Sequence, residues 1–147
     1  MKDALIEIFS RDILKLKDEI NNYKDEKKMW VTATGISNSA GNLSLHLVGN
    51  LNHFIGAILG KNGYRRERDK EFSLKDIPLS TLTEMIEKTR EVVINTLSAM
   101  TEKDMELDFP EIKHDKLLKT GFMLLHLLAH FNYHLGQINY HRRLLEK

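Results

Sequence analysis

Two stretches of the sequence decide the fold: NLSLHLVGNLNHFIGAILG at residues 42–60 and LLHLLAHFNYHLGQINYHRRLL at residues 124–145. Both carry leucine, isoleucine and phenylalanine at the three- and four-residue spacing of an amphipathic helix. Neither contains Asp or Glu, and together they hold six of the seven histidines of the chain. The sequence therefore predicts two helices on which histidines lie beside an apolar face.

Two further amphipathic helices are predicted outside these stretches. Leu5, Phe9 and Ile13 begin an apolar series that continues to about residue 24. After Pro78, Thr81 and Glu84 have the spacing of a capping box, and an apolar series follows to Met100. The four predicted helices cover about residues 3–24, residues 42–60 with Ser39 or Asn42 as the cap, about residues 81–100, and about residues 119–145.

The connections between these helices are long. Residues 22–41 are polar and turn-rich apart from Met29, Trp30 and Val31, so we expect Trp30 to fix this connection to the core. Residues 64–77 form a second, charged connection. No segment alternates like a β-strand. The pattern predicts an all-α fold, a four-helix bundle with long connections, as a single domain over residues 1–147.

Composition excludes several classes of protein. A chain of 147 residues buries roughly 70% of the surface that its unfolded form exposes, so a core forms without disulfides. The absence of cysteine excludes zinc ribbons, iron–sulfur clusters and cysteine nucleophiles. A net charge of +1 argues against nucleic acid or an anionic membrane as the partner. No signal peptide and no apolar run of ~20 residues is visible, so we expect a cytoplasmic protein.

The histidines of the last helix share one side of it. At about 100° per residue, His130, His134 and His141 fall within about 80° of His126. This polar stripe is expected to point inward or into a cleft. His141 lies near the helix end and is expected to be partly exposed, and His114 lies in a loop where a structural role is expected.

Histidine spacing is compatible with a metal site. His130 and His134 are four residues apart, so their imidazoles can converge on one ion. His46 and His53 on the second helix are seven residues apart, and either one could supply a third nitrogen. Three nitrogen ligands leave coordination positions open, as in catalytic sites. Hydrogen bonding to neighbouring residues, without any metal, is the alternative.

The two quoted stretches resemble the DinB/YfiT-like superfamily of four-helix bundle metalloproteins. The resemblance follows the helix order over nearly the whole chain. It implies that His46 of LHLVGN and the pair His130 and His134 of AHFNYHLGQ bind a divalent metal, zinc, nickel or iron. The frequent H-x-G-Q ending of that superfamily is matched by His134, Gly136 and Gln137. His53 adjoins the inferred site and competes with His46 for the role of third ligand.

The resemblance also implies kinds of activity. Superfamily members include transferases and isomerases that use low-molecular-weight thiols, and hydrolase-like proteins; many are homodimers. Because this chain has no cysteine, any reacting thiol must arrive with the substrate or a cofactor. A small-molecule substrate, a low-molecular-weight thiol cofactor and a homodimer are therefore expected.

Other side chains are candidates for the chemistry around such an ion. Neither histidine-bearing helix has a carboxylate, which disfavours hydrolysis with a glutamate base. Proton transfer would then fall to His126 or His53, which could equally well support the ligands by hydrogen bonding. In the loop after residue 60, Arg65, Arg66 and Arg68 could bind an anionic substrate or the carboxylates of a thiol cofactor. The alternative for these arginines is a solvated loop paired with its own Asp69 and Glu71.

The sequence thus predicts a metal-dependent enzyme acting on a small molecule, of the thiol-dependent transferase or hydrolase type. A metal- or ligand-binding protein without turnover, such as a stress-response protein, is the first alternative. A purely structural bundle dimer is the second, and it requires the histidines to be incidental.

Overall fold

The computed structural model of the protein describes residues 1–147 and contains five α-helices and no β-strand. α2 continues without a break into a π-helical segment, and two single 3-10 turns lie in the connections. The elements are α1 (Lys2–Asn21), a 3-10 turn (Glu26–Trp30), α2 (Ala40–Leu51), the π-helical segment (Asn52–Leu59), α3 (Arg68–Ser73), α4 (Leu79–Ala99), a 3-10 turn (Lys103–Glu106) and α5 (Thr120–Leu145).

The four long helices pack around one hydrophobic core. α1 contacts α4 and α5, and α2 contacts the same two helices. All the buried hydrophobic side chains belong to a single cluster. The apolar series predicted from the sequence supplies part of it: α1 contributes Leu5, Phe9, Ile13, Leu16 and Ile20. Burial of these faces holds the helices together.

α2 lies at the centre of the molecule, and every one of its residues is buried. Ser39 caps it, since its Oγ accepts a hydrogen bond of 3.1 Å from the backbone N–H of Asn42. Trp30 packs over the first turn, where a Cβ at Gly41 would collide with its ring. The prediction that Trp30 fixes the first connection to the core is therefore confirmed.

Two predictions about the second connection are wrong. Residues 64–77 are not a simple loop, because α3 forms within them and packs against α2. α4 begins at Leu79 and has no side-chain cap, so Thr81 does not start a capping box. The N–H of Leu79 instead donates a hydrogen bond of 2.7 Å to Glu26 Oε2, an acceptor from the first connection that replaces the local cap.

His141 is also placed differently from the prediction. It is only 4% exposed, and both ring nitrogens are hydrogen-bonded. Tyr23 Oη donates to Nδ1 at 2.6 Å, and Nε2 donates to the backbone oxygen of Val31 at 2.7 Å. These bonds join the last turns of α5 to the first connection. The residue spacing within α5 alone could not predict them. No helix has the length and apolar character needed to cross a membrane.

Candidate metal centre

Three histidines from two helices meet beside the core. His46 comes from α2, and His130 and His134 come from successive turns of α5, which packs against α2. One ring nitrogen of each residue lies within 4.8 Å of those of the other two. The i,i+4 spacing aligns the α5 pair, and helix packing brings the third imidazole to it.

The His46 ring is held by a carboxylate. Its Nδ1 lies 3.0 Å from Glu71 Oε1 and 3.3 Å from Arg66 Nη2, so Nδ1–H donates to Glu71 and the Nε2 edge of the ring faces the α5 pair. Glu71 belongs to α3 and is 6% exposed. It packs against Gly49, where a Cβ would collide with the carboxylate. Glycine at position 49 is thus required for this carboxylate to reach His46.

Glu71 is in turn held by Arg66, in a bidentate pair. Arg66 Nε donates to Oε2 at 2.8 Å, and Nη2 donates to Oε1 at 2.9 Å. Burial raises the pKa of Glu71, but the hydrogen bonds from His46 and Arg66 lower it by more, so the carboxyl stays ionised. When an ionised carboxylate accepts a hydrogen bond from one ring nitrogen of a histidine, it orients the other ring nitrogen toward a ligand.

The two histidines of α5 are neutral and converge on the same space. Burial, followed by the charges that His134 and His46 would carry, lowers the pKa of His130 to about 3. Burial also lowers the pKa of His134, although its hydrogen bond to Gln137 opposes the shift. His134 Nδ1 donates to Gln137 Oε1 at 2.7 Å, which leaves Nε2 of His134 unprotonated.

The donor set fits a divalent metal. Nε2 of His46 lies 3.2 Å from Nε2 of His130. Two nitrogens bound to one tetrahedral ion at about 2.0–2.1 Å are about 3.3–3.4 Å apart, so the observed distance is close to one coordination edge. Nδ1 of His130 is buried without a hydrogen-bond partner. Neutral imidazoles with free nitrogens are ligands for zinc, nickel or iron.

The other predicted histidines are not members of this cluster. His53 is the second residue of the π-helical segment, and its Nε2 lies 3.4 Å from Glu111 Oε2. Its ring is thus directed to the loop before α5, and His46 is the α2 histidine that meets the α5 pair. The His126 ring faces His114, with ring centroids 6.4 Å apart.

The three predicted arginines have different surroundings. Arg66 is engaged by Glu71, as described. Arg68 stacks over Phe72, with its guanidinium carbon 5.2 Å from the ring centroid. Arg65 lines a small cavity on the α3 side of Glu71. Of the three, Arg66 reaches the histidine cluster: it pairs with Glu71, and its Nη2 lies 3.3 Å from His46 Nδ1.

Comparison with protein families identifies a match over nearly the whole chain. The family model described as "Protein of unknown function (DUF1572)" matches residues 4–147. The chain belongs to the DUF1572 family. The match includes all three clustered histidines together with Glu71. A comparison with curated proteins finds no match.

In this DUF1572 protein a cavity of about 400 Å³ borders His134. Its walls come from the first connection, from the first turn of α2 and from α5, and no Asp, Glu, Lys or Arg lines it. Its polar groups include Ser37 and Asn38 from the connection and Gln137 from α5. The side-chain amide nitrogen of Gln137 is a donor that its bond to His134 does not use. The lining residues are Gly35, Ile36, Ser37, Asn38, Leu43, Tyr133, His134, Gln137, Tyr140, His141 and Leu144.

Proposed function

We propose that His46, His130 and His134 bind a divalent metal ion and that the protein is a metal-dependent enzyme acting on a small molecule. The observation that carries the proposal is the convergence of three ring nitrogens within 4.8 Å. The orientation of His46 by Glu71 and of His134 by Gln137 supports it. The resemblance of the sequence to the DinB/YfiT-like superfamily supports it further, and we assign the four long helices to that type of bundle.

A divalent ion held by three neutral imidazoles supplies Lewis acidity with coordination positions left open for a substrate. Zinc, nickel and iron all suit imidazole ligands. Glu71 orients His46 and does not act as a general base, because both of its oxygens are engaged by Arg66 and His46. His126, one turn before His130 on α5, and His53, which lies 3.4 Å from Glu111, are the groups that we propose to move a proton.

The cavity beside His134 is the proposed substrate site. Because no charged residue lines it, it suits a substrate whose bound part is uncharged and largely apolar. Ser37, Asn38 and the free amide hydrogens of Gln137 can bind a carbonyl or hydroxyl group there. A low-molecular-weight thiol remains the proposed cofactor, and its carboxylates would have to lie outside this cavity, toward Arg65 or Arg68.

A binding protein without turnover is the second candidate. The tight enclosure of the histidine cluster by Glu71, Arg66 and Gln137 also suits a protein that only holds a metal or a ligand. A screen of the metal-loaded protein against simple amides and esters, with and without low-molecular-weight thiols, separates the candidates. Turnover that depends on the metal supports the enzyme, and metal binding without turnover supports the binding protein.

The metal site is tested by calorimetric titration of tag-free protein with Zn²⁺. We expect one site per chain, and we expect His130→Ala to weaken binding by more than about 100-fold, since it removes a direct ligand. His114→Ala is the matched control, because His114 is exposed and lies outside the cluster. Equal affinity in wild type and His130→Ala would disprove the site.

A further inference from the structure

Two buried side-chain polar atoms of the chain have no hydrogen-bond partner, and they belong to the two helices that carry the histidine cluster. They are Oδ1 of Asn50 in α2 and Nδ1 of His130 in α5. Asn50 is 4% exposed, so the protein itself encloses its side chain. Most buried side-chain polar atoms are hydrogen-bonded to protein or to ordered water, because an unpaired one is unfavourable. Two such atoms on adjoining helices indicate a hydrogen bond that the other protein groups do not supply.

Asn50 lies on the side of α2 that faces α5. It follows His46 by one turn, and residues four apart project from the same side of a helix. On that side, Nε2 of His46 lies 3.2 Å from Nε2 of His130. Leu43, two turns before Asn50, borders the cavity that α5 walls with His134. The side chain of Asn50 is therefore directed toward α5, like those of His46 and Leu43.

The two helices run in opposite directions along this contact. His46 meets the α5 pair, with its ring centroid 5.0 Å from that of His130. His53, two turns after His46, reaches Glu111, which precedes α5. Because Asn50 lies between these two levels, it faces the first half of α5. His130 is the cluster histidine in that half.

The other two histidines of the cluster each donate Nδ1–H to a side-chain oxygen. His46 donates to Glu71 Oε1 at 3.0 Å, and His134 donates to Gln137 Oε1 at 2.7 Å. Nδ1 of His130 is a donor as well whenever its Nε2 binds an ion, because a neutral imidazole carries one N–H. An oxygen acceptor is thus needed at all three rings, and the acceptor for His130 is the one not yet assigned.

We propose that Asn50 Oδ1 is the acceptor for the Nδ1–H of His130, through one buried water molecule, and that Asn50 thereby positions a ligand of the metal. An amide oxygen only accepts and an imidazole N–H only donates, so the two unpaired atoms are complementary. They are not bonded to each other directly, and buried waters in proteins bridge polar groups of this kind. The inference rests on the proposed metal site and adds a positioning residue to it.

The Asn50 link makes the support of the three ligands unequal. The carboxylate of Glu71 carries a negative charge, whereas the amides of Gln137 and Asn50 do not. A neutral acceptor fixes the orientation of a ring without adding charge near the ion. Loss of the acceptor at position 50 is therefore expected to weaken metal binding less than loss of His130 itself.

Calorimetric titration with Zn²⁺ tests the Asn50 link on the full chain. Asn50→Leu keeps the branched shape of the side chain but has no acceptor, and we expect it to weaken binding by about 10–100-fold. Asn50→Asp keeps an acceptor oxygen, and we expect it to bind at least as tightly as wild type. Asn95→Leu is the matched control, because Asn95 is exposed on α4. Asn50→Ala removes the same acceptor with a smaller side chain, and it replaces Asn50→Leu if circular dichroism shows that variant to be unfolded.

A spectroscopic measurement separates the Asn50 link from a role of Asn50 in packing. In Zn²⁺-loaded protein labelled with ¹⁵N at histidine, we expect the ring N–H proton of His130 to move upfield in Asn50→Leu, because hydrogen bonding deshields a proton. Asn50→Asp is expected to keep this proton downfield. The ring N–H protons of His46 and His134 are expected to stay in place in both variants, since their own acceptors are unchanged.

A failure of the Asn50 link is distinguishable from a failure of the metal site. Wild-type affinity and an unmoved His130 signal in Asn50→Leu would overturn the inference and leave the metal site standing. Weaker binding in Asn50→Asp as well as in Asn50→Leu, with the ring N–H signals of all three ligands displaced, would give Asn50 a role in packing only and would also overturn it. If wild type binds no Zn²⁺, the metal site and this inference are both wrong.

Discussion

Glu71 is a buried acidic residue whose carboxylate links an arginine to a histidine. It accepts hydrogen bonds from His46 at 3.0 Å and from Arg66 at 2.8 and 2.9 Å, and His46 is the only histidine of the cluster among its hydrogen-bond partners. Its effect on a bound ion would therefore be transmitted through the His46 ring. Such outer carboxylates fix the tautomer of a ligating histidine and raise its basicity.

We predict that Glu71→Gln weakens Zn²⁺ binding by about 10–100-fold. Gln preserves the volume and an acceptor oxygen for His46, but it removes the negative charge that also holds Arg66. Calorimetric titration measures the change, and Glu67→Gln is the control, because Glu67 is exposed and pairs only with Lys70. The prediction fails if Glu71→Gln changes the melting temperature of the metal-free protein but leaves the affinity for Zn²⁺ at the wild-type value.

At the scale of single residues, the sequence predicts the three clustered histidines but not the residues that hydrogen-bond to them. The spacing of His130 and His134 and the resemblance around His46 identified three residues that the structure brings together. Glu71 was expected only as a partner of the loop arginines. Its contact with His46 was missed because Glu71 stands in a charged segment, RERDKEF, where every acidic residue resembles a surface residue. The one signal available was Gly49, one turn after His46, whose missing Cβ makes the space that Glu71 fills.

Among the elements, α3 and the π-helical segment were not predicted. α3 has six residues and only one apolar side chain, Phe72, so it shows no apolar periodicity. The π-helical segment is continuous in sequence with α2, and its change of hydrogen bonding, visible where Gly60 N–H donates to Ile55 at 2.8 Å, leaves no compositional trace. His53 is the second residue of this segment, and its Nε2 lies 3.4 Å from Glu111 Oε2.

Gly49 provides a test of how α3 docks on α2. We predict that Gly49→Ala destabilises the protein by about 1–3 kcal/mol and weakens Zn²⁺ binding, because the new Cβ collides with the Glu71 carboxylate. Thermal unfolding and calorimetric titration measure the two effects.

Gly136→Ala is the matched control for this substitution. Both glycines lie inside helices, where Ala is intrinsically favoured by about 0.5–1 kcal/mol, but a Cβ at position 136 meets nothing in the chain. We therefore expect Gly136→Ala to keep wild-type affinity for Zn²⁺. If Gly49→Ala behaved in the same way, the close packing of α3 on α2 would not be needed for metal binding.

For the whole molecule, Asp12 joins α1 to α5 from within the core. Its side chain is fully buried; Oδ1 accepts a hydrogen bond from Arg11 at 2.7 Å, and Oδ2 accepts one from Asn132 at 2.8 Å. Burial raises the pKa of Asp12, but the hydrogen bonds from Arg11 and Asn132 lower it by more, so the net shift is downward. The ionised form is thus the one that the folded protein favours.

We predict that Asp12→Asn lowers the free energy of unfolding at pH 7 by about 1–3 kcal/mol, the value of a hydrogen bond to a charged group. Because the pKa is lowered on folding, this stabilisation is complete above the unfolded pKa of about 3.9 and is lost as the pH falls below it. The difference between wild type and Asp12→Asn should therefore shrink between about pH 5 and pH 3. Urea unfolding across this range measures it, and Asp18→Asn, an exposed position on the same helix, should show no such dependence.

The all-helical class and the four long helices were predictable, because each helix has an apolar face with the right period. The hydrogen bonds that join the connections to these helices were not predictable. Tyr23 bonds to His141 across 118 residues of chain, and Glu26 caps α4 from the first connection. Such bonds depend on which loops lie side by side in three dimensions, and no local pattern in the sequence carries that information.

The packing of Trp30 over Gly41 has a spectroscopic consequence. Trp30 is the only tryptophan of the chain, so its fluorescence arises from a single site where the first connection meets α2. The histidine cluster does not include it. Its emission therefore reports detachment of the connection from the core, and it provides an optical signal for local opening that is separate from events at the ion site.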